Sequence, residues 1–192
     1  MSIDSIKDNF KEAQRILNDF IQEDSNWDKL KAAGDIMVNC LKNGGKIISC
    51  GNGGSMSDAM HFAEELSGRF RDDREGLAAI SISDPTHITC VGNDYGFDYI
   101  FSRYVQAVGK SGDVLLAIST SGNSANVVHA AEEARKKGMQ VIVLSGKSGG
   151  KLKDICDEEL RIAHNGYSDR IQELHIQIIH SLIQYIEMEY FK

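Results

Sequence analysis

Short apolar runs alternate with helical patterns along the middle of this chain, and that alternation constrains the fold more than any other feature of the sequence. The runs VLLAI (114–118) and VIVL (141–144) are almost uninterrupted, as expected of strands that are buried on both faces of a sheet. Parallel strands need a crossover connection, which a helix usually supplies. The sequence therefore predicts an α/β fold, a three-layer αβα sandwich around a five-stranded, mostly parallel sheet.

The pattern orders the strands and helices regularly along the chain. Strands are predicted at 46–50, 77–83, 113–119, 140–146 and 158–163. Helices are predicted at about 3–22, 25–45, 84–93, 97–109, 121–138 and 168–188, with one more from the loop after the first strand to about 67 and a short one at 149–156. Asp84 is suited to cap the helix that Pro85 begins.

The length of 192 residues suits one domain over 1–192. Within it we expect N-terminal helices over about 1–45, an α/β core over 46–164 and a C-terminal helix over 168–190. The net charge of −7 disfavours a nucleic-acid or anionic membrane surface. No apolar run is long enough to span a bilayer, and the first residues contain no apolar signal core. Four dispersed cysteines, with no CxxC pair, are typical of reduced thiols, so a cytoplasmic location is expected; they are Cys40, Cys50, Cys90 and Cys156.

The C-terminal helix is apolar around most of its circumference. Two sets of residues make it so, namely Ile171, Leu174, Ile178 and Leu182, and Ile176, Ile179, Ile183 and Ile186. One sheet cannot cover such a helix on every side, and the N-terminal helix is strongly amphipathic as well. We therefore expect both terminal helices to bury surface against other subunits of a closed homo-oligomer.

Two glycine- and serine-rich loops follow predicted strands and begin helices. They are GNGGS (51–55, the glycine loop) and STSGNS (119–124, the serine loop). Glycine lets backbone amides approach a ligand, and a helix N-terminus favours an anion. The serine loop supplies four hydroxyls, from Ser119, Thr120, Ser121 and Ser124, where a simple cap needs one. Neither loop has the nucleotide-binding spacing, so the pattern favours a small phosphorylated substrate, with a merely capped turn as the alternative.

Several polar residues on two helices are candidates for chemistry. His61 and Glu65 lie one turn apart, which suits two ligands of a divalent metal, an acid and a base, or a solvated surface pair. The final helix carries Asp169, Gln172, His175 and His180. Polar groups on so apolar a helix need partners. Gln172 and His180 are separated by roughly 12 Å of helix, so they share one metal only by leaning towards each other or by coming from different subunits.

These motifs together resemble one family. CGNGGSMSDAMHFAEEL, NDYGF, AISTSGNSANVV, SDRIQELH and His180 are similar to the bacterial phosphoheptose isomerases, or sedoheptulose 7-phosphate isomerases, of the SIS superfamily. The resemblance covers essentially the full length. It implies a SIS, flavodoxin-like fold and a homotetramer with active sites between subunits. It also implies conversion of sedoheptulose 7-phosphate to D-glycero-D-manno-heptose 7-phosphate, towards the ADP-heptose of the lipopolysaccharide core.

The resemblance also implies roles for individual residues. One Zn²⁺ per subunit would be held by His61, Glu65, Gln172 and His180. Glu65 and His180 would be the acid/base pair. The substrate would be bound by Asn52, Gly53, Gly54, Ser55, Glu65, Asn93, Asp94, Ser119, Thr120, Ser121, Ser124, Asp169 and Gln172. The serine loop would hold the phosphate, and Asp169 would contact sugar hydroxyls.

Aldose–ketose isomerisation moves a proton between C1 and C2 through an enediol, which requires a base and stabilisation of an oxyanion. We expect Glu65 to be the base and His180 the acid. A carboxylate that is firmly bound to zinc is a poorer base, so a water or another residue as the base remains an alternative. Two rival functions keep the same fold. A non-catalytic relative that associates with the DNA replication initiator needs neither Glu65 nor His180, and a sugar-phosphate sensor needs no His–Glu metal pair.

Overall fold

Five parallel strands form one sheet in the computed structural model, which describes residues 3–192. The strands are β1 (Ile47–Gly51), β2 (Ala79–Ser81), β3 (Val114–Ser119), β4 (Gln140–Gly146) and β5 (Glu158–Ile162). Their order in the sheet is β2-β1-β3-β4-β5, the flavodoxin-like order. The direction of winding reverses between β1 and β3, so the loops that leave these two strands open side by side. The predicted α/β fold and five-stranded sheet are confirmed.

Seven α-helices cover the two faces of this sheet. They are α1 (Ile3–Gln22), α2 (Ser25–Lys42), α3 (Gly54–Ser67), α4 (Pro85–Asp94), α5 (Ile100–Val108), α6 (Ala125–Lys136) and α7 (Ser168–Tyr190). Alternate residues of each strand enter opposite cores. Leu116 of β3 packs with α1, α2, α3 and α7, whereas Leu115 packs with α4, α5 and α6. The molecule is therefore the three-layer sandwich that the sequence predicts.

Some boundaries differ from the sequence-based expectation for local reasons. β2 spans three residues rather than 77–83, partly because the N–H of Leu77 is hydrogen-bonded to the carbonyl of Leu66 at the end of α3. The helix expected at 97–109 begins with a 3₁₀ turn at Phe97–Tyr99. In place of the helix expected at 149–156, the chain forms a 3₁₀ turn at Leu152–Asp154. The N-cap is as expected, since Asp84 accepts a hydrogen bond from the N–H of His87 at 2.8 Å.

The C-terminal helix is covered by its own chain. Eight of its residues are buried, namely Ile171, Leu174, His175, Ile178, Ile179, Leu182, Ile183 and Ile186. The argument that a second subunit must cover this helix is wrong, because α2 and α3 flank it in addition to the sheet. Exposed apolar side chains lie instead on α1, at Ile3, Ile6 and Phe10. Oligomerisation through the terminal helices stays a prediction.

The cysteines are all free thiols. Burial raises the pKa of Cys50 to about 12, and burial is also the main cause that raises the pKa of Cys40 and of Cys156 to about 11. Among residues 3–192, no helix combines the length and the hydropathy that a membrane span requires.

Candidate active site

The glycine loop and the serine loop lie next to each other at the point where the sheet reverses its winding. Gly51 at the end of β1 is in register with Ile118 near the end of β3. The two loops are joined by a pair of side-chain amides. Asn52 and Asn126 each donate a hydrogen bond to the other, at 2.8 and 2.9 Å, and Asn126 is buried. This pairing uses one N–H and the carbonyl oxygen of each amide, and it fixes the two loops relative to each other.

The glycine loop depends on its lack of side chains. A Cβ at Gly51 would lie 2.6 Å from the carbonyl oxygen of Ser55, so only glycine permits the chain to turn back there. Gly53 precedes α3 with φ +57°, and no side chain caps the helix. A Cβ at Gly54 would strike the amide group of Gln172 on α7, which therefore lies against the first residue of α3.

The hydroxyls of the serine loop are clustered. Ser119 Oγ lies 3.0 Å from Ser124 Oγ and 3.5 Å from Ser121 Oγ. Ser124 occupies the N-cap position of α6, yet its side chain makes no capping hydrogen bond. Thr120 Oγ1 donates to Ser168 Oγ, 3.3 Å away, at the first residue of α7. The loop is thus more than a capped turn, because its hydroxyls group around one another instead of serving the helix.

Three helices begin in this region, since α3 follows the glycine loop, α6 follows the serine loop, and α7 starts beside Thr120. Their partial positive ends make the region suited to an anion such as a phosphate group. The serine loop also packs against the segment that contains Gly149 and Leu152. A Cβ at Gly122 would overlap the carbonyl oxygen of Gly149, and the N–H of Leu152 donates to the Gly122 carbonyl. The loop therefore has its shape before a ligand arrives.

A second group of side chains, the metal cluster, joins α3 to α7. His61 Nε2 lies 3.0 Å from His180 Nε2 and 3.4 Å from Glu65 Oε1. One ligand atom from each of these three residues lies within 4.8 Å of the others. Tetrahedral Zn²⁺ with bonds near 2.0–2.1 Å holds its ligand atoms about 3.3 Å apart, which these separations match. The three residues are partly buried, with the side chain of His61 39% exposed and that of Glu65 16% exposed, so the pair is not fully solvated.

Gln172 and Asp169 lie in the first turns of α7, before the position of His180. The amide of Gln172 contacts Gly54, two helical turns before His180. Asp169 pairs with the guanidinium of Arg170 at 3.0 Å and accepts the Arg170 backbone N–H at 2.9 Å. Desolvation acts to raise the pKa of the Asp169 carboxyl, but the hydrogen bonds and charge of Arg170 together outweigh it and lower the pKa.

Asn93 and Asp94 are the two candidate residues on α4. They end α4, are exposed, and are hydrogen-bonded to each other at 2.7 Å. Within residues 3–192, no hydrogen bond joins either residue to the glycine loop, the serine loop or the metal cluster. Exposed aromatic side chains follow them, at Tyr95, Phe97 and Tyr99. Their place in the substrate site therefore stays a prediction.

Three features of the site were missed by the sequence reasoning. Asn126 and Ser168 are recognisable only through their partners, Asn52 and Thr120, which are distant in sequence. Asp58 lies one turn before His61 on α3, and its Oδ2 atom is buried without a hydrogen-bond partner among the described residues. Burial raises the pKa of Asp58 to about 6, although the charge of His61 opposes the shift. The i, i+3 spacing of Asp58 and His61 was the available signal.

His175 is a core residue, in agreement with one of the readings that the sequence allowed. It is fully buried, and its Nε2–H donates to the carbonyl oxygen of Ser145, 2.9 Å away, at the end of β4. Burial lowers the pKa of His175 to about 4, so the ring is neutral.

Comparison with known proteins agrees with this geometry. The sequence profile of the SIS domain family matches residues 8–146. The chain is 57% identical over 189 residues to a phosphoheptose isomerase of Yersinia pestis (strain Pestoides F), and the match covers 98% of each chain. Its fold is similar to that of a phosphoheptose isomerase from Neisseria gonorrhoeae, with TM-score 0.90 and 41% identity over 96% of this chain and 98% of that one. It is also similar to that of a phosphoheptose isomerase from Francisella tularensis, with TM-score 0.93 and 39% identity over 98% of this chain and 100% of that one.

Proposed function

The chain belongs to the SIS domain family and, within it, to the phosphoheptose isomerases, and we propose that it interconverts sedoheptulose 7-phosphate and D-glycero-D-manno-heptose 7-phosphate. It is an aldose–ketose isomerase. One observation carries the assignment: an anion-binding group of loops and a His–Glu–His cluster are connected by the same two helices, α3 and α7. Neither the loops nor the His–Glu–His cluster alone would suit this reaction, because it needs both a bound phosphate and a proton-transferring group.

The serine loop and the three helix starts bind the phosphate group in this proposal. Ser119, Thr120, Ser121 and Ser124 donate hydroxyl hydrogen bonds, while Asn52, Gly53, Gly54 and Ser55 line the opposite side. Asp169 and Gln172 contact sugar hydroxyls from the start of α7. The support is the clustering of the hydroxyls and the shape of the serine loop, which the contacts of Gly122 hold in place.

Glu65 and His180 transfer the protons. Glu65 removes the proton from C2 of the aldose or C1 of the ketose and returns it to the neighbouring carbon. His180 moves protons on the sugar oxygens and assists ring opening. Glu65 suits this task because its side chain is only 16% exposed and lies 3.4 Å from His61 Nε2, which holds the carboxylate in place.

Zn²⁺ is the proposed cofactor, one per subunit. His61, Glu65 and His180 fit it, since their ligand atoms have the spacing and chemistry of a zinc site. When bound, the ion supplies a Lewis acid that polarises the substrate carbonyl and stabilises the developing oxyanion. We propose Gln172 as the further ligand. Its amide group lies against Gly54 at the start of α3, the helix that carries His61 and Glu65.

We also propose a homotetramer whose active sites lie between subunits. The support is that Asn93 and Asp94 are exposed and are followed by exposed aromatic residues, which suits contact with a neighbouring copy. A neighbouring copy would bring them to a site. The whole of 1–192 acts as one SIS domain in this proposal, since α1, α2 and α7 pack on one sheet. We place the enzyme in the cytoplasm, in the pathway to the lipopolysaccharide core.

The assignment is tested by an isomerase assay with sedoheptulose 7-phosphate, with and without a chelator, beside Glu65→Gln. The variant is expected to fold and bind substrate while turnover falls about 10²- to 10⁴-fold. Glu132→Gln, an exposed change on α6, serves as the control and is expected to turn over normally. Absence of turnover in a folded, zinc-loaded wild type would overturn the assignment in favour of a binding protein. Normal turnover in Glu65→Gln would overturn the role of Glu65.

A further inference from the structure

The segment between α3 and β2, residues 68–78, carries a charged side chain that is almost fully enclosed. The side chain of Arg74 is 8% exposed although it belongs to a loop. Its Nε donates to Glu187 Oε1 on α7 at 2.7 Å. The two terminal nitrogens donate to the carbonyls of Glu65 and Leu66 at 2.7 and 2.8 Å. One guanidinium thus holds α3, α7 and its own loop together.

These contacts fall at the C-terminal end of α3, where the Leu66 carbonyl also accepts the N–H of Leu77. The last four carbonyls of a helix have no partner within it, and Glu65 and Leu66 are in the final turn of α3, which ends at Ser67. A cation at this end also interacts favourably with the helix dipole. Glu65 is at the same time a member of the metal cluster, so Arg74 is bonded to the backbone of a residue whose side chain does the chemistry.

The same segment touches the metal cluster from the α7 side. The ring of Phe70 is stacked on the imidazole of His180, with centroids 5.7 Å apart and planes inclined by 29°. Stacking on one face limits the rotation of the imidazole about its χ2 bond. Arg74 fixes the segment, and the segment in turn presents Phe70 to His180.

We propose that Arg74 is a positioning residue for the metal cluster, acting through the Glu65 carbonyl, through Glu187 and through Phe70. The proposal rests on the metal site of the proposed function. The cluster takes His61 and Glu65 from α3 and His180 from α7, so its ligand separations depend directly on the spacing of the two helices. Supporting residues of this kind typically change metal affinity about 10- to 100-fold when they are removed.

A matched control exists at the amino-terminal ends of β1 and β3. Lys46 and Asp113 form an ion pair that is also largely buried, with 2.5 Å between Nζ and Oδ2, just before β1 and β3 begin. Lys46→Met and Arg74→Met both leave a buried carboxylate without its cation. They are expected to destabilise the fold by similar mechanisms, but only Arg74→Met acts on α3 and α7.

The experiment measures the Zn²⁺ dissociation constant by competition with a chromophoric chelator, at a temperature where every variant is folded by circular dichroism. Arg74→Met is expected to weaken Zn²⁺ binding at least about tenfold, while Lys46→Met stays within about twofold of the wild type. Arg74→Lys keeps the charge near Glu187 but not the forked hydrogen bonds, and is expected to be intermediate. If Arg74→Met fails to fold, Arg74→Lys against Lys46→Met decides the question.

A kinetic measurement separates this proposal from the metal assignment. Arg74→Met is expected to lower kcat with sedoheptulose 7-phosphate while KM stays within about twofold, because the phosphate-binding loops are untouched. If the wild type binds no Zn²⁺, the metal assignment fails, and the same fall in kcat still supports positioning of Glu65 and His180. Wild-type Zn²⁺ affinity together with wild-type kcat in folded Arg74→Met would overturn the proposal and leave Arg74 a purely structural residue.

Discussion

The two ends of the candidate site are held in different ways. At the proposed phosphate end, backbone contacts at Gly51 and Gly122 shape the glycine and serine loops, and the Asn52–Asn126 amide pair joins them. At the metal end, three side chains on two helices converge, and their positions depend on helix packing. From this difference we expect substrate binding and turnover to respond to different substitutions, although Glu65 and Gln172 are proposed for both.

His180→Gln should have the largest effect and should act on the metal end alone. Loss of the imidazole removes both an acid and a metal ligand, so kcat is expected to fall about 10²- to 10⁴-fold. KM for sedoheptulose 7-phosphate should change little, because the serine loop has no contact with His180. Steady-state kinetics with a fixed excess of Zn²⁺ measure both constants. A rise in KM with kcat preserved would break the proposed separation.

Gly122→Ala should damage the phosphate end. The residue has φ +65°, and a Cβ there would overlap the Gly149 carbonyl, so the serine loop must move. We expect KM to rise at least about tenfold, alongside roughly 1–3 kcal/mol of lost stability. Gly112→Ala is the control, since Gly112 has φ +88° but open space around its Cβ position. The control should lose stability, measured by urea unfolding, with an unchanged KM.

Asn126→Asp should have a smaller effect on the same end. The carboxylate still accepts from the Asn52 amide but no longer donates to it, and it adds negative charge near the phosphate region. One lost hydrogen bond is worth about 0.5–1.5 kcal/mol, so KM should rise about three- to tenfold while kcat is kept. Asn43→Asp at the end of α2 is the control. Equal KM values for the two variants would show that the Asn52–Asn126 pair does not shape the loop.

His175 lies between the two ends and should affect neither directly. Its folded pKa of about 4 is below the unfolded value of 6.5, so the folded state favours the neutral ring. The stability that this provides is present above pH 6.5 and is lost as the pH falls towards 4. Urea midpoints should therefore decline over that range in the wild type. In His175→Gln the decline should be smaller, and an identical pH dependence in the two proteins would refute the buried neutral state.

Most of the fold could be read from the sequence because its signals are local. The runs at 114–118 and 141–144 indicate buried parallel strands, and Asp84 with Pro85 marks a helix start. The C-terminal helix was harder. Its apolar circumference correctly indicates burial on several sides, but the sequence does not say whether another subunit or α2 and α3 of the same chain provide the cover.

The candidate site, like the fold, could be predicted from the sequence only in part. The glycine and serine loops are contiguous motifs, so their glycines and hydroxyls are visible in the sequence. Asn52 and Asn126 are separated by 74 positions in the sequence, and Arg74 and Glu187 by 113 positions. No local pattern encodes such pairs, because they exist only after the sheet has brought the helices together. The metal cluster is intermediate, since His61 and Glu65 share a helix turn but His180 is 119 positions from His61.

The length of α7 sets the distance between the serine loop and the metal cluster. The helix begins beside the serine loop at Ser168, passes Gly54 at Gln172, and reaches the metal cluster at His180. From Gln172 to His180 a rigid helix advances about 12 Å. If the serine loop holds the phosphate as proposed, the carbonyl of the sugar must reach the metal cluster, so this spacing would favour a certain number of carbons between the two groups. We expect a shorter sugar phosphate to bind through its phosphate without reaching Glu65 and His180.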